Sequence, residues 1–344
     1  MREMNALLST RVDKSRPDIV DSLELHIRRS RDDDQDYEAA VAIENAIYPE
    51  EPQSVESWRF WDANRDPQYF FRRYVGEVGG RVVATAAIGH TSWTYQPGKF
   101  FVFVAVDPRC QRRGIGGAVY DYLLDELAPF EPTKFVGHAR EDHEDSMQFL
   151  QNRGYRPVLR APKSRLDTAA FDPSPFEYKV QRVLDSGIAI KTLAQLCDED
   201  PQWKRKVYEL EWECLQDVPT TDPFTKRSFE QFEKMTLGNP HLLPDAWFIA
   251  LDGDRYVGMS ALWRNLVTDR LLQTGLTGVV RSHRRRGIAT ALKVQAIRYA
   301  QDHGNAEVET DNEENNPMLQ LNIQLGFKPQ PAFVDFEKNL TPAV

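Results

Sequence analysis

Short runs of alternating apolar and polar residues, each followed by stretches of helical period, divide the chain into two zones. Residues 70–77, 81–89 and 99–106 read as strands, with Gly79-Gly80 as the hairpin turn between the first two. A helix is predicted over 115–127, a short strand over 134–138, and a helix over 146–153 that ends at Gly154. Upstream, a helix over 37–46 follows the acidic patch 32–36, which suits a helix N-terminus. Residues 1–20 are polar with little periodicity and read as a loose tail.

The second zone follows the same plan. A strand is predicted over 187–192 and helices over 203–215 and 227–235. Strands over 247–251 and 256–263 flank the turn Gly253-Asp254. A strand over 271–280, a helix over 288–301, a strand over 306–310, a helix over 317–325 ending at Gly326, and a strand over 332–337 complete it. The two zones also align by residue. Val106 to Gly116 matches Val279 to Ala289 at an offset of 173, and Gly154-Tyr155-Arg156-Pro157 meets Gly326-Phe327-Lys328-Pro329 at 172. Such agreement in order and spacing marks an internal repeat. The Pro-rich stretch 161–175, with Pro162, Pro173 and Pro175, is the expected linker. The predicted division is therefore a tail over 1–20, a first domain over 21–175 and a second over 176–344.

Composition narrows the function classes. The 344 residues fit two domains at roughly 150 residues each. Hydrophobic residues at 41% and charged residues at 28% suit a packed core. The net charge of −9 argues against a bulk nucleic-acid binder, though it leaves room for local basic patches. The longest apolar run covers only residues 100–106, whereas a membrane helix needs about 20 residues. No secretory leader pattern opens the chain. The three cysteines, Cys110, Cys197 and Cys214, form no CxxC pair and are too few for a four-Cys zinc site. A cytoplasmic protein without a metal or a membrane partner is expected.

In both zones a β-branched strand runs into a basic turn that opens a helix. The first turn is Gln111-Arg112-Arg113-Gly114-Ile115-Gly116-Gly117 and the second Arg284-Arg285-Arg286-Gly287-Ile288-Ala289-Thr290. Small residues let a phosphate approach the backbone, and the N–H groups and dipole of the helix start favour the anion. Neither copy fits a dinucleotide fingerprint, since Val119 stands where the third glycine belongs, nor a Walker loop. The form [Gln/Arg]-x-x-Gly-x-[Gly/Ala] after a strand resembles the pyrophosphate loop of the GNAT superfamily of N-acetyltransferases. Gly-Tyr or Gly-Phe about 40 residues later strengthens each copy. The second copy is the richer match, through Thr310-Asp311-Asn312, Asn315-Asn316-Pro317-Met318 and Asn322 to Phe327. The tandem arrangement is similar to that of mycothiol synthase and its relatives.

This resemblance implies an α/β fold of two tandem GNAT-like domains, each a mixed, mostly antiparallel sheet flanked by helices. It implies acetyl-CoA, or another acyl-CoA, as cofactor and a small-molecule amine, less readily a protein, as acceptor. The two loops would hold the pyrophosphate. Backbone groups of Val104, Ala105 and Val106, and of Thr277, Gly278 and Val279, would hold the pantetheine arm where each strand splays from its neighbour. Asn312 and Asn315 would border the cofactor. The tyrosine that many members use as acid is replaced by Leu150 and Asn322, and their usual strand glutamate by Phe100 and Gln273. Asn322 can hydrogen-bond the leaving sulfur, and Glu309 is the candidate proton acceptor through water. The second half is favoured as the active one because more of its downstream motif is intact. A non-catalytic acyl-CoA sensor is the alternative.

Each of these residues has a plainer reading. Arginines at a helix start oppose its dipole, so the basic turns are either anion sites or merely solvated. Asn312, Asn315 and Asn316 fit turns and caps as well as a cofactor. Alternation puts Glu307 and Glu309 on one face, as a surface pair or a base. His138, matching Thr310, is either a base or a structural histidine. Asp222 is either an acceptor-site residue or a helix N-cap, with Tyr48 to Glu51 as its counterpart. Trp263 and Trp93 either shape an acceptor pocket or belong to the core. The oligomeric state is a monomer of pseudo-dimeric domains or a homodimer.

Overall fold

A computed structural model describes residues 24–340. The tail expected over 1–20 lies outside the described residues. The first half opens with β1 (Leu25–Arg29), α1 (Asp34–Ile47) and α2 (Val55–Ala63). It continues through β2 (Phe71–Val78), β3 (Arg81–Gly89), β4 (Lys99–Val106), α3 (Ile115–Leu127), β5 (Lys134–Arg140), α4 (Glu144–Asn152) and β6 (Arg156–Asp167). After α5 (Ser174–Asp185) the second half begins with β7 (Ile188–Thr192), α6 (Leu193–Glu199), α7 (Trp203–Leu215) and α8 (Phe229–Phe232). It continues through β8 (Leu242–Asp252), β9 (Arg255–Arg264), β10 (Leu271–Val279), α9 (Ile288–Asp302), β11 (Glu307–Asp311), α10 (Pro317–Gln324) and β12 (Lys328–Asn339).

Local chemistry explains most of these boundaries. Asp33 caps α1 by accepting from the Asp36 N–H, and Ser54 caps α2 by accepting from the Ser57 N–H. Gly79 and Gly80 both take positive φ, as the tight β2–β3 turn demands. The helices α3, α7, α9 and α10 fall where the apolar period places them. Five elements escaped the sequence reading: β1, α2, β6, α5 and α6. For α6 a signal was present, because Thr192 and Gln195 form a capping box.

The strands form one continuous sheet in the order β1-β2-β3-β4-β5-β12-β6-β11-β10-β9-β8-β7. The halves thus exchange their last strands. β12 of the second half pairs antiparallel with β5 of the first, and β6 of the first pairs antiparallel with β11 of the second. Between them β12 and β6 make the central seam. Val334 and Phe336 of β12 are buried in the first half's core, and Leu166 of β6 in the second's.

The exchange corrects the linker expected over 161–175. Residues up to Asp167 belong to β6, and α5 starts at Ser174. Prolines disguised the strand. Proline donates nothing to a ladder and survives in a sheet at irregularities. Here Pro157 pairs with Phe336 and Pro162 with Ala332, each next to a register shift on β12.

Candidate functional site

The two basic turns have matching backbones. Arg112 and Gly114 take φ of 62° and 81°, and Arg285 and Gly287 take 63° and 87°. Non-glycine residues at positive φ are uncommon, so the same pair of left-handed residues in both copies marks a built turn. Gly114 and Gly287 stand at the N-caps of α3 and α9, and no side chain caps either helix. The first-turn N–H groups, including those of Ile115, Gly116 and Gly117, and of Ile288, Ala289 and Thr290, lack the side-chain partner most helices supply. They form the concave donor set that suits an anion.

The arginines divide by role. Gln111 Nε2 donates to the Val106 carbonyl at 3.0 Å, and Arg284 Nε to the Val279 carbonyl at 2.9 Å. Each ties its turn to the end of the preceding strand. Arg284 also pairs with Asp217, and Arg112 pairs with Asp145 at 2.8 Å. Arg113, Arg285 and Arg286 have no ion pair among the described residues. These three are the cations left for a ligand.

The strands splay as expected from sequence. β4 pairs with β5 only over Lys99, Phe100 and Phe101, and β10 with β11 only over Leu271, Leu272 and Gln273. Beyond these residues one side of Val104–Val106 and of Thr277–Val279 faces a cleft. The halves differ by one residue here. β10 carries a bulge against β9 between Thr274 and Thr277, whereas the β3–β4 register is unbroken. That extra residue raises the repeat offset from 172 at Phe101 and Gln273 to 173 at the loops, and the return to 172 at Gly154 and Gly326 means the second half is one residue shorter between loop and final glycine. Trp263 covers the bulge, since a Cβ on Gly275 would lie 2.3 Å from its Nε1. Trp263 also packs edge-to-face on the buried Trp247 and lines a small cavity of about 150 Å³ with Gln273.

Where β4 and β5 part, a cavity of about 960 Å³ opens between the halves. Its walls come from α1, α2 and β4 of the first half and from α7 and the α7–α8 connection of the second. On its floor His138 of β5 stands opposite Asp335 of the exchanged strand β12. The His138 ring stacks on Phe103 and meets Phe333 edge-on. Crowding by these walls holds the imidazole below its ordinary pKa, with Asp335 pulling the other way. Burial likewise raises the Asp335 carboxyl, with His138 countering. Sequence reasoning singled out His138 but not Asp335, because only the strand exchange brings them together.

In the second half the registers matching His138 and Asp335 carry Asp311 and Lys163, and ion pairs surround Lys163. Glu309 is buried and accepts from Arg165 at 2.8 Å and Lys163 at 3.2 Å, both on β6. Lys163 also pairs with Glu51, and Arg140 with Glu50. This corrects the surface pair expected of Glu307 and Glu309: both Glu309 oxygens already serve cations. Asn322 is fully buried and donates to Asn312 Oδ1 at 2.6 Å, while its own Oδ1 has no partner. Asn316 caps α10 and Asn315 bonds Glu313, as turn residues do. Asp222 is buried against Lys99 and accepts from Gln96 at 2.6 Å. It ties the second half to the rim of the first half's cavity. Among the described residues no cluster of His, Cys, Asp and Glu could hold a metal ion, and no helix is long and apolar enough to cross a membrane.

Known proteins repeat this architecture. The chain resembles a tandem GNAT protein from the clavulanic acid biosynthesis pathway, at 19% identity and a TM-score of 0.72, covering 93% of this chain and 100% of that one. A GCN5-related N-acetyltransferase from Sphaerobacter thermophilus matches at 20% identity and a TM-score of 0.64, covering 95% and 98%. An acetyltransferase from Pyrococcus horikoshii matches at 15% and 0.53, covering 92% and 90%. No curated protein matches the chain by sequence. The model of the acetyltransferase (GNAT) family matches residues 37–155 and 204–327, well over half of the chain. With one match on each side of the strand exchange, the chain belongs to the GNAT acetyltransferase family, in tandem form.

Proposed function

We propose that the chain transfers an acetyl group from acetyl-CoA to an amine of a small molecule, and that the first half carries out the transfer. The observation that carries this reading is the His138–Asp335 pair on the floor of the cavity where β4 and β5 part. The second half keeps the same loop and splay, but the registers matching His138 and Asp335 carry Asp311 and Lys163, with Lys163 engaged by Glu51 and Glu309 and no histidine present. Its intact downstream motif suits cofactor binding without an acceptor. The intact loop, the free Arg285 and Arg286 and the bulge support that assignment.

The donor set at each loop fits a pyrophosphate: two left-handed residues, small side chains at the helix start and arginines without partners. Acetyl-CoA supplies an activated acyl group as a thioester. The α3 N-terminus and Arg113 bind and orient its phosphates, and alternate backbone N–H groups of 102–106 face the cleft to hold its arm. The amine must shed a proton before it attacks. His138, neutral near pH 7, accepts that proton on the cavity side, and Asp335 stabilises the imidazolium that results.

The test is thiol release from acetyl-CoA with an amine panel. His138→Ala is expected to lower kcat by about 100-fold or more with acetyl-CoA affinity unchanged. Glu309→Gln is expected to leave kcat within a few fold. If tight acetyl-CoA binding persists with no turnover of any amine, the chain is a sensor instead. If Glu309→Gln abolishes turnover and His138→Ala does not, the second half is the active one.

A further inference from the structure

The cavity's walls and charges narrow the acceptor beyond an amine, and the inference drawn from them rests on the proposed function. Aromatic rings dominate its surface: Trp58, Trp61, Phe101 and Phe103 from the first half, Trp212 from the second, and Phe333 from the exchanged strand. At about 960 Å³ it has room for a ligand far larger than a short aliphatic amine.

Most charged side chains around it are already satisfied. Arg73 and Arg65 pair with Asp62, Lys99 with Asp222, Glu51 with Lys163, Arg227 with Glu211, and Glu337 with Lys134. Two carboxylates are the exceptions: Asp335, which stands opposite His138 across the strand pair, and Glu44. Glu44 lies on the third turn of α1, its side chain makes no hydrogen bond or ion pair among the described residues, and its Oε1 is buried without a partner. An unpaired carboxylate in an aromatic wall is costly to keep, and an entering ammonium would relieve it. Sequence reasoning missed Glu44, since an isolated acidic residue inside an amphipathic helix looks like solvated surface.

We propose that the acceptor is a primary amine carried on a bulky aromatic skeleton, received as an ammonium by Glu44 and stacked on the cavity's rings, with its proton then passing to His138. Glu44 acts in binding and His138 in the transfer. The ammonium first gives one proton to His138; the acetyl carbon then gains the bond to the neutral nitrogen as its bond to sulfur breaks, and the second proton lost by that nitrogen goes to the departing thiolate, which leaves as the thiol.

Thiol release by the full chain is measured with tryptamine and phenethylamine against ethanolamine and glucosamine. The aromatic amines are expected to show kcat/KM about 100-fold higher, the effect of burying one aromatic ring. Glu44→Gln is expected to raise KM for tryptamine about tenfold or more, with acetyl-CoA affinity unchanged. Trp212→Ala, in the other half, is expected to raise KM for tryptamine but not for ethanolamine. Equal or better turnover of ethanolamine or glucosamine overturns the inference while leaving acetyl transfer standing, as does an unchanged KM in Glu44→Gln. Absence of turnover with every amine overturns the proposed function. Calorimetric binding of tryptamine to the wild type and to Glu44→Gln then decides the inference: loss of binding in the variant supports it, and equal or absent binding in both overturns it.

Discussion

The ammonium of Lys99, at the first residue of β4, is buried against the carboxylate of Asp222 in the α7–α8 connection. One partner comes from each half, so the pair fixes the second half over the mouth of the first half's cavity. Burial pushes the Asp222 carboxyl up, but the hydrogen bond and charge of Lys99 outweigh it and hold the group below its usual range. That contribution to stability is present above the ordinary carboxylate pKa and is lost as the pH falls below it. Asp222→Ala strands a buried ammonium and is expected to cost about 3 kcal/mol in urea unfolding near pH 7. A loss of only a few tenths would mean that Lys99 reaches water in the native state.

The two loops can be separated by a single change in each. Gly114 and Gly287 hold φ near 80–90°, where other residues are strained, and each begins a helix whose free N–H groups face the anion site. Glutamate there adds strain and puts a carboxylate where the phosphate would sit. Calorimetry with acetyl-CoA is expected to give two sites for the wild type and one for either Gly114→Glu or Gly287→Glu. Of the two, only Gly114→Glu is expected to abolish turnover. Full stoichiometry in either variant would remove that loop from the cofactor site.

The His138–Asp335 pair predicts the direction of a pH shift. Burial depresses the imidazole pKa and the Asp335 charge raises it. A base must be neutral to accept a proton, so kcat should fall on the acid side at a pH below the ordinary histidine value of about 6.5. Asp335→Asn removes the charge that raises the pKa. Its acid limb is expected to move to still lower pH, with a lower plateau because the imidazolium loses its partner. A limb that stays put, or moves upward, would show that another group titrates.

Glu44 gives the opposite limb for binding. Burial raises its carboxyl to about 7. Its anionic form receives an ammonium best, so KM for an aromatic amine should decrease as the pH rises from 5.5 to 7.5. Glu44→Gln should flatten that slope. A slope that persists in the variant would assign the titration to another carboxylate of the cavity.

What the sequence made legible was whatever repeats locally. The loop turns and α3 and α9 behind them follow from residues close in the chain, and the splay of β4 and β10 from the family resemblance those turns carry. The β10 bulge lies upstream of both aligned stretches, so only the register of Thr274 and Thr277 against β9 shows it. The strand exchange was not legible, because nothing in the spacing of His138 and Asp335 tells which half receives the last strand. Its consequences were hidden with it: β6 passed for a linker, Glu309 for a surface residue or a base, and the cavity between the halves went unseen.

At Lys293 the repeat swaps a hydrogen-bonded core pair for a buried charge. At the same point of the first half the Tyr120 hydroxyl donates to that of Tyr155 at 3.2 Å. Their counterparts are Lys293 and Phe327, and Lys293 is 3% exposed with its Nζ 5.1 Å above the Phe327 ring. No carboxylate lies within ion-pair distance among the described residues, and burial lowers its pKa from 10.5 to about 7, with Asp311 countering weakly. Between those values the unfolded chain binds more protons than the native one, so stability rises with pH across that window. Below pH 7 the native state bears the full cost of a buried ammonium. Lys293→Met keeps the volume and removes the charge. It is expected to raise the unfolding free energy by about 2–4 kcal/mol at pH 6 and by progressively less toward pH 10. Urea unfolding at pH 6, 8 and 10 reads this directly: a gain independent of pH would mean that packing against Phe327, rather than the ammonium, sets the difference.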